Sequence, residues 1–226
     1  MLNLKSALAV LLIFTYTIVN CQSSNIGSWI AYMGNQPLGK GFNLWNEAQY
    51  RDYSFLGDLQ QVLFRTGLGY NLTENNFNVM LGYAFVYTES YSTGNNDKTA
   101  FSEHRIFQQL LTRQNFGKVN IQHRYRMEER FFNDDTQFRF RYNLAVQVPL
   151  NQQSLKKGCF YLAASNEFFL NLHSPHFDRN RLYGGTGYVL SPSMRAEAGL
   201  MRQALEKSGR NQIMLTFFNT MPIKCS

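Results

Sequence analysis

The chain has 226 residues, a net charge of +7 and 15% aromatic residues, including 19 Phe and 13 Tyr. Its mean hydropathy is −0.32, and beyond the N-terminal segment no stretch is long and apolar enough for a spanning helix, which excludes a helical membrane protein. The arginines recur at alternate positions along the chain instead of clustering on one face, which excludes nucleic acid as the expected partner.

In chain order, Lys5 followed by the apolar run 7–19 reads as a signal peptide spanning residues 1–21. Cleavage after Cys21 leaves Gln22 at the new N-terminus. Cleavage before a lipidated Cys21 is the alternative, and Asn20 suits it poorly. Residues 22–226 then form one domain.

Within that domain, 27–33 is predicted as a short strand carrying Trp29, and 35–40 as a Gly/Pro turn. Residues 42–51 alternate Phe42, Leu44, Ala48 and Tyr50 against Asn43, Trp45, Glu47, Gln49 and Arg51. The same period of two runs through 59–70, with Arg65 on the polar side, and through 77–87. A polar loop covers 89–99, and the next strand, 101–112, carries Glu103, Arg105 and Gln109 on one face.

The segments 121–130 and 137–148 show the pattern most fully. Ile121, His123, Tyr125 and Met127 alternate with Gln122, Arg124, Arg126, Glu128 and Arg130. Phe138, Phe140, Tyr142, Leu144, Val146 and Val148 alternate with Arg139, Arg141, Asn143, Ala145 and Gln147. A hairpin closed about 131–136 would set Glu128 near Arg139 or Arg141. After a polar connection at 149–158, strands follow at 160–170 with Glu167, 179–190 with Arg181, 194–204 with Arg195 and Glu197, and 212–218.

Segments of about ten alternating residues fit a tilted transmembrane strand, which needs roughly 9–11, better than the 5–6 typical of soluble strands. In such a barrel the apolar face turns to lipid and the polar face to the lumen. The fold predicted is therefore all-β: an antiparallel transmembrane β-barrel of 10–12 strands. Eleven candidate segments are visible, but bacterial barrels normally have an even number, so the parity rule favours twelve. The polar face would line the interior with ten arginines (Arg51, Arg65, Arg105, Arg124, Arg126, Arg130, Arg139, Arg141, Arg181, Arg195) and five glutamates (Glu47, Glu103, Glu128, Glu167, Glu197). Interlocked Arg–Glu pairs can fill a narrow lumen, and a surplus of one sign in a confined space can attract anions.

Sites of chemistry are sparse. The loop 173–178 (HSPHFD) gathers His173, Ser174, His176 and Asp178, but neighbouring loop positions rarely form a triad, and two histidines lack a third metal ligand. His123 falls on the apolar face. The run Gly184-Gly185-Thr186-Gly187 does not precede a helix, so it is no phosphate cradle; small residues there would relieve crowding in a curved strand. No catalytic residue, metal or cofactor is expected. Cys159 and Cys225 could pair in an oxidising compartment, or remain two free thiols.

Trp29, Glu47…Arg51, Glu103-His104-Arg105 with Gln108-Gln109, the Arg124-x-Arg126-x-Glu128-x-Arg130 strand, Asn166-Glu167 and Arg181-Leu182-Tyr183-Gly184 together resemble an uncharacterised family of outer-membrane β-barrel proteins of Bacteroidota. The resemblance implies a small barrel in the outer membrane, in contact with lipid and lipopolysaccharide, and brings no activity with it. The expected function is a narrow anion-preferring pore or a closed scaffold with envelope protein partners. The alternatives are a membrane-embedded hydrolase of lipid or lipopolysaccharide and a soluble lipocalin-like ligand-binding barrel.

Overall fold

A computed structural model describes residues 26–73, 76–92 and 97–223. The predicted signal peptide, Cys21 and Cys225 lie outside the described residues. The described chain is all β: β1 (Gly27–Gly39), β2 (Phe42–Asp52), β3 (Leu59–Thr73), β4 (Phe77–Tyr91), β5 (Lys98–Phe116), β6 (Val119–Phe131), β7 (Thr136–Pro149), β8 (Phe160–Asn171), β9 (Phe177–Ser191), β10 (Met194–Ala204) and β11 (Gly209–Asn219). Each strand pairs antiparallel with its sequence neighbour, and β1 pairs with β11 to close a barrel.

The closure overturns the parity expectation. With eleven strands among the described residues, the last runs in the same direction as the first, so β1 and β11 pair parallel. A parallel ladder has evenly spaced, slanted hydrogen bonds and is only slightly weaker per residue than an antiparallel one. Eight residue pairs, Gly27↔Gln212 to Gly34↔Asn219, suffice to remove both sheet edges. A further consequence is that β1 starts at one rim and β11 ends at the other. We call the rim bearing the β2–β3, β4–β5, β6–β7, β8–β9 and β10–β11 connections the upper rim, and the opposite one the lower rim.

The parallel seam predicts a specific cross-linking pattern. Cysteine pairs at Ile30 with Leu215 and at Tyr32 with Phe217 are both Cα partners in the parallel register. Both double variants should form intramolecular disulfides on mild oxidation, read as a mobility shift lost on reduction, whereas Tyr32→Cys with Ile213→Cys should not. An antiparallel seam that joined Ile30 to Leu215 would join Tyr32 to Ile213 instead.

β1 runs further than its sequence suggests, through the Gly/Pro segment to Gly39. Pro37 is tolerated because the β11 ladder ends at Gly34, and a register shift follows between Pro37 and Gly39. β5 is likewise longer, reaching Phe116 before a two-residue turn at Gly117 and Lys118.

The barrel is polar inside and apolar outside. Glu47, Glu103, Arg105, Arg126, Glu128, Arg139, Arg141, Glu167 and Arg181 are buried, while Phe64, Leu68, Leu81, Leu200 and Phe217 are exposed. Two apolar clusters complete the interior. Trp29, Ala31, Cys159, Tyr161, Tyr183, Val189, Met201 and Met214 form the larger, and Trp45, Met80 and Phe107 the smaller. Cys159 is buried and pairs with no cysteine among the described residues, and its Sγ donates to Phe160 O at 3.3 Å.

Candidate functional site

Period two sets one side chain in every two of each strand into the lumen, and antiparallel register then decides which of them meet. β6 and β7 pair Glu128 with Arg139 and Arg126 with Arg141. From this seed an ionic network fills the upper half and middle of the barrel, and a second cluster around Glu47 joins it through the rings of Phe107 and Trp29.

Glu128 is its centre. Its Oε2 accepts from Arg139 (2.6 and 3.2 Å) and its Oε1 from Arg141 (2.5 Å), with Arg126 at 3.7 Å and Arg105 at 3.9 Å. Glu167, on β8, accepts from Arg141 (2.7 Å) and Arg124 (2.7 Å), with Arg181 at 4.0 Å. Glu103 accepts from Arg105, its neighbour on the same face of β5, and from Arg130 across the ladder at 2.8 Å. Glu47 accepts from Arg65 at 2.8 Å and from Gln49, which in turn accepts from Arg51. The β6–β7 hairpin thus joins Glu128 to Arg139 and Arg141 together.

Neutral groups complete the network, and the charge pattern of the sequence does not announce them. Gln109 takes two bonds from Arg126 (3.0 and 2.5 Å), and Gln203 takes one from Arg181 (2.9 Å). Phe169 lies under four guanidiniums, Arg139, Arg141, Arg179 and Arg181, at 5.3, 4.5, 5.9 and 4.7 Å from the ring centroid. Phe107 faces Arg126 at 4.4 Å, and Trp29 faces Arg51 at 3.6 Å. Ring faces are electron-rich and stabilise cations where water is absent. The signal was available for three of them: Trp45, Phe107 and Phe169 share the parity of the inner charges on their strands, whereas β1 carries no charge to mark Trp29.

Two of the predicted lining residues stand apart. Glu197 accepts from Tyr161 Oη (2.9 Å) and Gln147 (2.9 Å) in the lower half, and Arg195 stacks on Phe218 at 4.3 Å. Arg51 is inside but meets no carboxylate among the described residues; it is held by Gln49 and Trp29. Near the lower rim an asparagine cluster takes the place of charge, with Asn78 donating to Asn43 (2.7 Å) and Asn71 (3.0 Å), and Asn43 to Asn35 (2.6 Å).

The loop between β8 and β9 does not assemble a triad. Both oxygens of Asp178 are taken by arginines, Arg139 at 2.9 Å and Arg179 at 2.9 Å, and His176 Nδ1 donates to Asn171 O at 3.3 Å. Asp178 belongs instead to the lumen network, a role its place in a loop-like run conceals. His123 and His104 face outward against Tyr142 (2.9 Å) and Tyr83 (2.5 Å). No three His, Cys, Asp or Glu side chains converge as a metal site among the described residues.

What decides the chain's kinship is the span of the pattern: residues 26–214, from the start of β1 to the middle of β11, match the family described as "Protein of unknown function (DUF2490)". The chain belongs to that family. No curated protein matches it. For this DUF2490 barrel, then, the interior itself is the candidate site. It is a fixed array of interlocked side chains, with Arg126 and Glu128 at 1% and 0% exposure.

Proposed function

We propose that this chain is an outer-membrane β-barrel closed at mid-height, acting as a rigid scaffold in the envelope and not as an open pore. The observation that carries the reading is the near-complete burial of inward side chains at mid-height. Phe107 on β5, Arg126 and Glu128 on β6 and Phe169 on β8 are at most 1% exposed, and Arg139 and Arg141 on β7 are buried beside them. A hydrated channel would leave such side chains in contact with water.

The exterior supports the membrane part of the reading. Exposed Leu68, Leu81, Ile106, Leu110, Leu200 and Leu215 form an aliphatic band, flanked by Phe42, Tyr70, Phe77, Phe116 and Phe160 towards one rim and Tyr50, Phe101, Phe138 and Phe177 towards the other. An apolar band about 25 Å tall between aromatic girdles is the signature of an outer-membrane barrel. The shortest strands have 11 residues, long enough to span it with tilt. The resemblance to barrels of Bacteroidota agrees with this reading. Phospholipid and lipopolysaccharide would contact the band, and an envelope protein would meet the rims. A lipocalin-type barrel carries its apolar side chains inward, the reverse of what is seen here.

The test is planar-bilayer conductance of refolded protein, with insertion checked by heat-modifiable migration in SDS. Inserted wild-type protein should give no discrete conductance steps. Stepwise, anion-selective current would overturn the closed scaffold. Identical migration before and after boiling, with solubility in plain buffer, would overturn the membrane assignment.

A further inference from the structure

The lumen network is short of negative charge. Nine guanidiniums (Arg65, Arg105, Arg124, Arg126, Arg130, Arg139, Arg141, Arg179, Arg181) share the carboxylates of Glu47, Glu103, Glu128, Glu167 and Asp178, and a tenth, Arg51, meets none of them. A buried cation without a counter-charge is costly, and the cost falls on the arginines that the five acids do not reach. Arg51 meets none of the five acids and Arg181 only Glu167, at 4.0 Å, and these two lie together.

Arg51 and Arg181 approach one indole ring, that of Trp29, at 3.6 and 5.0 Å from its centroid. Among the described residues Arg51 donates only to the amide of Gln49, and its Nε is buried with no hydrogen-bond partner. Arg181 donates its Nε to Gln203 and stands 4.0 Å from Glu167. Trp29 Nε1 is also buried without a partner. All three side chains are more than nine-tenths buried. Three strands converge here: β1 and β2 are paired, with Trp29 opposite Arg51, and β9 supplies Arg181 from across the lumen. Trp29 is the third residue of β1 and Arg51 the penultimate residue of β2, so the cluster sits at the upper mouth.

We propose that this mouth is an oxyanion site of the phosphate class, held between Arg51 and Arg181 beside the Trp29 indole N–H. Planar guanidinium forks match the oxygen geometry of a phosphate, and an indole N–H adds one neutral donor. The anion would offset the surplus that the five carboxylates leave. Its source is either free inorganic phosphate or the phosphomonoester of a lipid headgroup. The site rests on the charge balance of the lumen and not on what surrounds the barrel, so it stands or falls separately from the membrane assignment.

Tryptophan fluorescence provides the test, because the chain has two tryptophans, Trp29 and Trp45. In the full-length folded Trp45→Phe protein, the emission of Trp29 should change saturably on titration with inorganic phosphate or with a water-soluble short-chain phosphatidic acid. Chloride at matched ionic strength should have no such effect. A response to phosphate identifies the free ion, and a response to the phosphatidic acid alone identifies the headgroup. Arg51→Gln and Arg181→Gln should each raise the half-saturating concentration roughly tenfold or more, as loss of one charge-assisted contact implies. Arg195→Gln, in the lower half, should leave it unchanged. The melting temperature of the unmodified protein gives a second measurement that needs no variant, and it should rise with the same ligand. No response to either ligand beyond that to chloride, or equal responses in wild type and both arginine variants, would overturn the site.

Discussion

Glu128→Gln is expected to destabilise the barrel by about 3–5 kcal/mol, the cost of removing one partner from a buried ionic cluster. The substitution keeps the volume and one acceptor oxygen, so packing changes little. What is lost is the single negative charge to which Arg139 and Arg141 both donate, and near which Arg105 and Arg126 are held. Arg139 retains Asp178 and Arg141 retains Glu167. Arg126 retains no carboxylate among the described residues and is left with the neutral Gln109 and the ring face of Phe107. The remaining guanidiniums then repel one another in a medium that screens poorly. The measurement is urea unfolding of the folded protein in detergent micelles, followed by loss of the fast-migrating band. A change under about 1 kcal/mol would place Glu128 in contact with water. Arg126→Met in the Glu128→Gln background should recover part of the loss, because it removes a cation that the first change left unmatched. Coupling of at least about 0.5 kcal/mol is expected for side chains this close.

The strands were legible because alternation is a strong signal where both faces of a sheet are consistently committed. Segment 42–51 became Phe42–Asp52, and 160–170 became Phe160–Asn171. Parity set Glu47, Arg126, Glu128, Arg139 and Glu167 on one face, and all five are buried, since one inward residue fixes every second neighbour. Partner choice was legible only locally. Glu128 with Arg139 follows from the register of one hairpin, whereas Arg141 with Glu167, or Arg181 with Gln203, needs the curvature that brings further strands round the lumen. Asp178 was hidden because a register shift at Phe169/Leu170 accompanies the short loop before β9, so simple counting fails there. Pro37 disguised the end of β1 as a turn. Nothing in β1 or β11 distinguishes a parallel from an antiparallel neighbour; the parallel closure followed from the eleven visible segments alone, and the even-number rule for bacterial barrels argued against taking that count at face value.

The glycine-dense run in β9 gains a specific meaning from the same geometry. Gly187→Ala is expected to cost about 1–3 kcal/mol, as overpacking in a closely filled interior does. Gly187 faces the lumen between Tyr161 on β8 and Glu197 on β10, its Cα partners on either side. The ring of Tyr161 crosses directly over Gly187 to deliver its hydroxyl to Glu197 at 2.9 Å. A Cβ at position 187 would stand 2.2 Å from the ring carbon Cζ, so the ring must lift and the hydroxyl withdraw. Phe107 lies over Gly82 in the same manner, with a Cβ again 2.2 Å from the ring. The small residues therefore make room for aromatic side chains that bridge three strands, which is more specific than easing curvature. A double-mutant cycle separates the two accounts. In the wild-type background Tyr161→Phe should cost about 1–3 kcal/mol, because it leaves Glu197 with one donor fewer in a buried site. In the Gly187→Ala background that bond is already broken, so the second substitution should cost almost nothing further, read by the same urea titration. Strictly additive losses would show that the tyrosine keeps its bond to Glu197 without needing the glycine beneath it.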